Sequence, residues 1–216
     1  MLRGKDIRKY GYKFADKYLI NTHNGVKSLG IKPIDITDYP IVKEHLDQYF
    51  DALVRRQDQG ETPYNLRNCS YMEDFDRLKI VYPNMTTFSP FYLDYNLFLT
   101  NQKCFIIVGE RLGYLTAFLN SSIFRVCFNS NFPVLGNGLE LSKVFFEKIP
   151  ILKINQSLDS NLTKTVKELQ ELSIDSQKRQ RLIYEIESQL YGVYNLNQNE
   201  KKILEALDNK NKHVGQ

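Results

Sequence analysis

The aromatic residues of this chain are unevenly placed. All thirteen Phe and eleven of the fourteen Tyr precede residue 151. Large rings dominate the energetics of a core, so the core is expected to draw chiefly on the first 150 residues. The remainder of the chain is polar with apolar stripes. Leu158, Leu162, Val166, Leu169 and Leu172 form one stripe, and Ile183, Ile186, Leu190 and Val193 form another. The alternating three- and four-residue spacing of the second stripe, beside the first, predicts an antiparallel helix pair with a coiled-coil-like seam. Asn197 or Asn199 is placed to cap a last helix carrying Ile203, Leu204 and Leu207. The expected organisation is a domain over residues 1–151 and a helical appendage over residues 152–216.

Within the first part, residues 62–87 (TPYNLRNCSYMEDFDRLKIVYPNMTT) read as a polar turn that leads into a strand. Thr62-Pro63 biases the backbone toward extension. Asn65, Arg67 and Asn68 put forked polar side chains close together. Residues 78–82 are β-formers bounded by Pro83-Asn84, which predicts a buried strand. A second polar loop, residues 84–89, leaves its far end. Residues 17–21 are strand-like, and Asn21 to Gly25 is a turn containing His23. Pro40 suits the start of a helix running to about Arg56, with Val42, Leu46, Tyr49, Phe50 and Leu53 on one face. Residues 90–100 and 103–109 are expected to form a hairpin about Asn101-Gln102. Residues 112–128 are expected to be one helix, residues 129–138 a ten-residue loop, and residues 144–146 a short strand.

Composition excludes several classes. With 42% hydrophobic and 25% charged residues, the chain has ordinary globular composition. Its apolar runs are too short to span a bilayer, and no secretory signal pattern opens it. Cys69, Cys104 and Cys127 are odd in number and lack a C-x-x-C pair, which points to free thiols in a reducing cytosol. No Gly-rich cofactor loop, P-loop, G-x-S-x-G or metal-spaced His/Cys set is visible. Ser89-Pro90-Phe91-Tyr92 lacks the second proline of an amino-methyltransferase tetrapeptide. Glu147-Lys148 lacks the acidic partners a metal-dependent nuclease needs. No catalysis is expected from this chain alone.

Net charge is +4. Residues 1–17 hold Arg3, Lys5, Arg8, Lys9, Lys13 and Lys17 against Asp6 and Asp16, so the whole excess lies there. A basic edge on a neutral domain suits an anionic partner, or is a solvated terminal segment.

Five stretches occur in a telling order: LRGKDIRKYGY (residues 2–12), LINTHNG (19–25), HLDQYFDALVRRQDQGETPYNLRNCSY (45–71), IVYPNM (80–85) and FFEKIPI (145–151). Together they resemble the TaqI-like C-terminal specificity domain, the target-recognition domain of restriction–modification enzymes that fuse methyltransferase and nuclease. The resemblance covers residues 2–151 and returns near residues 186–196. It implies a mixed α/β fold, with a twisted, largely antiparallel sheet and flanking helices, followed by a helical C-terminal part. It also implies sequence-specific binding of double-stranded DNA. Methylation and cleavage would belong to domains elsewhere, with S-adenosylmethionine and Mg²⁺ bound there and no cofactor here. In that family the motif matching residues 2–12 lies inside a longer polypeptide, so an excised domain or a separately encoded specificity piece is expected.

On this reading the phosphate-contact candidates are Lys5, Arg8, Lys9, Arg55, Arg56 and Arg67. The base-reading candidates are Asn84, Thr86, Thr87 and Ser89, aided by Asn129, Asn131 and Asn137. Basic side chains fix register on phosphates, and short or forked polar groups suit base edges. For Arg55 and Arg56 the alternative is solubilisation of a helix end, and for Thr86-Thr87 it is the shaping of a turn. The helices over residues 159–196 are expected to dock a methyltransferase partner and not DNA. The competing function is an assembly subunit acting through the C-terminal helical seam.

Overall fold

The structure, a computed structural model, describes residues 1–136 and 138–211. The chain is mixed α/β, with small antiparallel sheets and a helical C-terminal region. It divides into two compact units. The first comprises residues 1–17 and 77–216, and the second residues 18–76. The boundary expected at residue 151 is therefore not where the compact units divide. The stretch over residues 62–87 is shared between them.

A two-residue turn at Lys9-Tyr10 joins strands β1 (Ile7–Arg8) and β2 (Gly11–Tyr12) into a hairpin. In the second unit, α1 (Pro40–Asp47) and α2 (Phe50–Arg55) are separate short helices, not one helix to Arg56. No strand forms at residues 17–21. The first unit resumes with β3 (Lys79–Pro83), β4 (Met85–Thr86), β5 (Tyr92–Asp94) and β6 (Cys104–Ile107).

β3 is the expected apolar strand, and all five of its residues are buried. It lies between β5 and β6, antiparallel to both, with Ile80 opposite Leu93 and Ile107. The expected hairpin between residues 90–100 and 103–109 therefore does not form. The two segments flank β3, because the strand apolar on both faces takes the centre of the sheet. Ile80, Tyr82 and Leu93 face the larger core, while Val81 and Tyr92 face a smaller one with Leu2, Ile7 and Cys104.

The larger core is closed by helices. α3 (Leu112–Leu119) and α4 (Ser122–Asn131) replace the single helix expected over residues 112–128. The break is built in. The Ser121 hydroxyl accepts from the Phe124 N–H as the cap of α4, and the Asn120 side chain bridges the N–H and C=O of Phe91. α4 runs on to Asn131, and β7 (Val134–Leu135) and β8 (Gly138–Glu140) then form a hairpin, so residues 129–138 are not one long loop. β8 also pairs with β4. Residues 143–146 form the short helix α5 (Lys143–Phe146) where a strand was expected.

α6 (Gln156–Glu171) and α7 (Gln177–Val193) form the expected antiparallel pair, with Asn161 bonded to Gln189 and Glu168 paired with Lys178. Their stripes are buried: Leu162, Val166, Leu169, Ile186 and Leu190 share one core with Phe118 and Phe124. Gly113 allows α3 to lie against α6, since a Cβ there would collide with Thr163. α8 (Gln198–Asn211) opens with a reciprocal cap: Asn197 accepts from the Glu200 N–H, and Glu200 accepts from the Asn197 N–H. Among the described residues, no helix is long and apolar enough to cross a membrane.

Candidate functional site

The first unit contains a half-open cleft of about 950 Å³. One wall is the β1–β2 hairpin, with Arg8, Lys9 and Tyr12. The turn after β4 contributes Thr87 and Phe88. The connection from α6 to α7 contributes Ile174, and the first turn of α7 contributes Arg179 and Gln180.

The hairpin is rigid for local reasons. Tyr10 holds a left-handed φ of 53°, uncommon for a side chain of this size. It is tolerated because the ring is buried and its hydroxyl donates to the Ala117 carbonyl at 3.3 Å. Burial drives the Tyr10 phenol well above its usual pKa, with the Glu187 carboxylate acting in the same direction, so the group stays neutral. Arg8 Nη1 donates to the carbonyls of Lys5 and Ile7 at 2.7 and 2.8 Å, which holds the guanidinium against its own turn. Lys9 Nζ lies 5.8 Å from the centre of the Tyr10 ring.

Arg179 ties the two walls together. Nη1 donates to the carbonyls of Leu169 and Leu172 at the end of α6, and Nη2 to those of Lys9 and Tyr10 in the hairpin turn. The end of α6 thus gains a cation and donors for its orphan carbonyls. Burial pulls the Arg179 pKa below the usual guanidinium value, partly offset by Tyr10.

The structure separates the expected site residues. Arg8, Lys9 and Thr87 come together at the cleft. Lys5 is exposed in the turn before β1. Thr86 lies in β4, and its hydroxyl accepts from the Phe88 N–H, so it shapes the turn that presents Thr87. Asn84 is half-buried, with backbone bonds to Lys103 and Leu141. Ser89 is 4% exposed, which removes its hydroxyl from any surface. Asn137 lies outside the described residues, as do the side chains of Asn129 and Asn131, whose backbone belongs to α4.

Arg55, Arg56 and Arg67 lie in the second unit. Arg55 is exposed. Arg56 donates to the carbonyls of Pro63 and Asn65 and so braces its own loop. Arg67 is exposed and paired with Asp58 at 3.1 Å. Asn65, whose forked side chain suggested recognition, is 1% exposed. It accepts from the Thr62 N–H and hydroxyl and donates to the Ile34 carbonyl.

Sequence reasoning missed Arg179 and Gln180. The stretch SQKRQR reads as the solvated start of a helix. The apolar stripe held the signal for Arg179. Extended back from Ile186 and Ile183 by one further step of four, it lands on Arg179, so that cation had to be buried and hydrogen-bonded.

Apolar side chains such as Phe88, Leu172, Ile174 and Ile183 line much of the cleft, and the cations Arg8 and Lys9 and the polar Thr87 and Gln180 stand among them. These cations and polar groups are equipped to bind an anion with polar edges. Among the described residues no cluster of His, Cys, Asp or Glu could hold a metal ion. Comparison of the chain with protein-family models and with curated proteins gives no match.

Proposed function

We propose that this chain recognises a specific sequence in double-stranded DNA, on behalf of a methyltransferase or endonuclease carried by other domains or subunits. The observation that carries this reading is the cleft itself, where Arg8 and Lys9 meet Thr87. The basic segment and the polar turn are about eighty residues apart in the chain, yet they line one space. Cations that fix register and a short side chain that reads a base edge are the two halves of duplex recognition. The resemblance to specificity domains of restriction–modification enzymes points the same way. S-adenosylmethionine and Mg²⁺ would serve the partner's chemistry.

The competing reading is assembly through the C-terminal seam, and the burial of that seam counts against it. Ile186 and Leu190 are fully buried in the domain's own core. The residues of the α6–α7 connection line the cleft instead.

The test is direct binding of the chain to random and selected duplexes over a salt series. Replacing Lys5, Arg8 and Lys9 by Gln should weaken binding to both. It should also flatten the salt slope by about one unit per lost phosphate contact. Unchanged binding to random duplex would show that the basic edge does not touch DNA.

A further inference from the structure

We infer that Gln180 is a specificity-determining residue of the cleft, reading an adenine edge in the same space that Thr87 lines. This inference rests on the DNA-binding reading above, and it gives the first turn of α7 a role that the seam pattern did not suggest.

Four observations lead to it. Gln180 is exposed and lines the cleft. It sits in the first turn of α7, a seventeen-residue helix whose inner face is held by Ile186 and Leu190. The neighbouring Arg179 is buried and clamps that first turn to Leu169, Leu172, Lys9 and Tyr10. The backbone that carries Gln180 is therefore fixed relative to Arg8 and Lys9, the phosphate-positioning side chains. Gln170 also lines the cleft, but both ends of its amide are engaged by the Leu93 backbone, as acceptor from N–H and donor to C=O. Of these two glutamines, Gln180 is the one on the exposed surface.

The chemistry selects the base. A primary amide offers a donor and an acceptor side by side, matching N7 and the N6 amino group of adenine in the major groove. Arg in the same place would match O6 and N7 of guanine. A reader held on a helix locked to the phosphate-binding hairpin gains discrimination, because misplacement of either half would cost the other its contact.

The experiment is site selection from random duplexes with the full chain, comparing wild type, Q180A and Q180R, with each variant's fold checked by its circular dichroism and melting. Wild type should select an A·T pair at one position that Q180A relaxes by about tenfold, with random-duplex affinity unchanged. Q180R should move the preference at that position toward G·C. If wild type selects a consensus that both variants retain, the inference is overturned while the DNA-binding reading stands. Equal loss on all sequences would overturn it too, by making Gln180 a phosphate contact. If wild type binds no duplex, the DNA-binding reading fails and this inference falls with it.

Discussion

The two compact units are held together by different means. In the unit of residues 1–17 and 77–216, a sheet and helices enclose an aromatic and aliphatic core in which Phe91, Phe118, Phe124 and Phe128 are fully or almost fully buried. In the unit of residues 18–76, the buried apolar residues are Val26, Ile36 and Phe75 among those described. Its loops are pinned by polar side chains bonded to backbone: Thr22 to Tyr64, Asn65 to Ile34 and Thr62, Arg56 to Pro63 and Asn65. A region with little apolar surface to bury must draw its order from hydrogen bonds. Its forked polar side chains are therefore its frame. In the core-rich unit, burial supplies the frame, and polar groups on its turns can face outward.

The comparison is tested most severely at a buried charged pair inside the core-rich unit. Lys79 and Asp94 sit opposite each other on β3 and β5, both side chains fully buried, 2.8 Å apart. Asp94 also accepts from the N–H groups of Asn96 and Phe98, so it anchors the loop after β5. Lys79→Met leaves that carboxylate buried without its cation. Removing one partner of a buried pair costs about 3–5 kcal/mol, and urea unfolding should show a loss of this size. A loss under about 1 kcal/mol would mean that the pair is incidental to the core-rich unit.

The second test addresses the polar unit. Asn65→Ala removes acceptors from Thr62 and a donor from Ile34, at about 2 kcal/mol for buried groups left unpaired. Hydrogen exchange should speed up across residues 22–68 while the amides of β3 keep their protection. Equal acceleration in β3 would show that the two units open as one, and the contrast between them would lose its meaning.

The same contrast explains what could be read in advance. The β3 strand was legible as a run of β-formers bounded by Pro83-Asn84, and the α6–α7 pair from its helical period, while the mixed α/β class was implied by the family resemblance. The pairing of β5 and β6 with β3, and not with each other, was not legible, because strand order is decided by burial of the whole sheet. The break at Asn120-Ser121 hides inside an apolar run, where a cap and a core residue look alike. At the cleft, Arg8, Lys9 and Thr87 were found from charge and loop position. Ser89, Asn65 and Arg56 carry the same polar chemistry, and only their burial or bonding shows that they support the fold. Arg179 was hidden by its charge, although it lies on the period of its own helix.

The smallest expected effect lies within a single dipeptide. Thr86 and Thr87 have the same side chain, and sequence alone treats them as equal readers. Thr86 is half-buried in β4, with its hydroxyl accepting from the Phe88 N–H at 3.2 Å. Thr87 is exposed and lines the cleft. Valine keeps the shape of threonine and removes the hydroxyl. Thr86→Val should cost about 1 kcal/mol of stability, for one lost side-chain acceptor, and leave the selected DNA sequence unchanged. Thr87→Val should leave the melting temperature unchanged and weaken discrimination at one base position by about 1 kcal/mol, the lower end for a lost base contact. Because valine retains a methyl, a preference that survives Thr87→Val and disappears in Thr87→Ser would assign the contact to the 5-methyl of thymine. If Thr86→Val alters the consensus and Thr87→Val does not, the presenting and reading roles are reversed, and the division between bonded and outward-facing polar groups fails where the two are closest together.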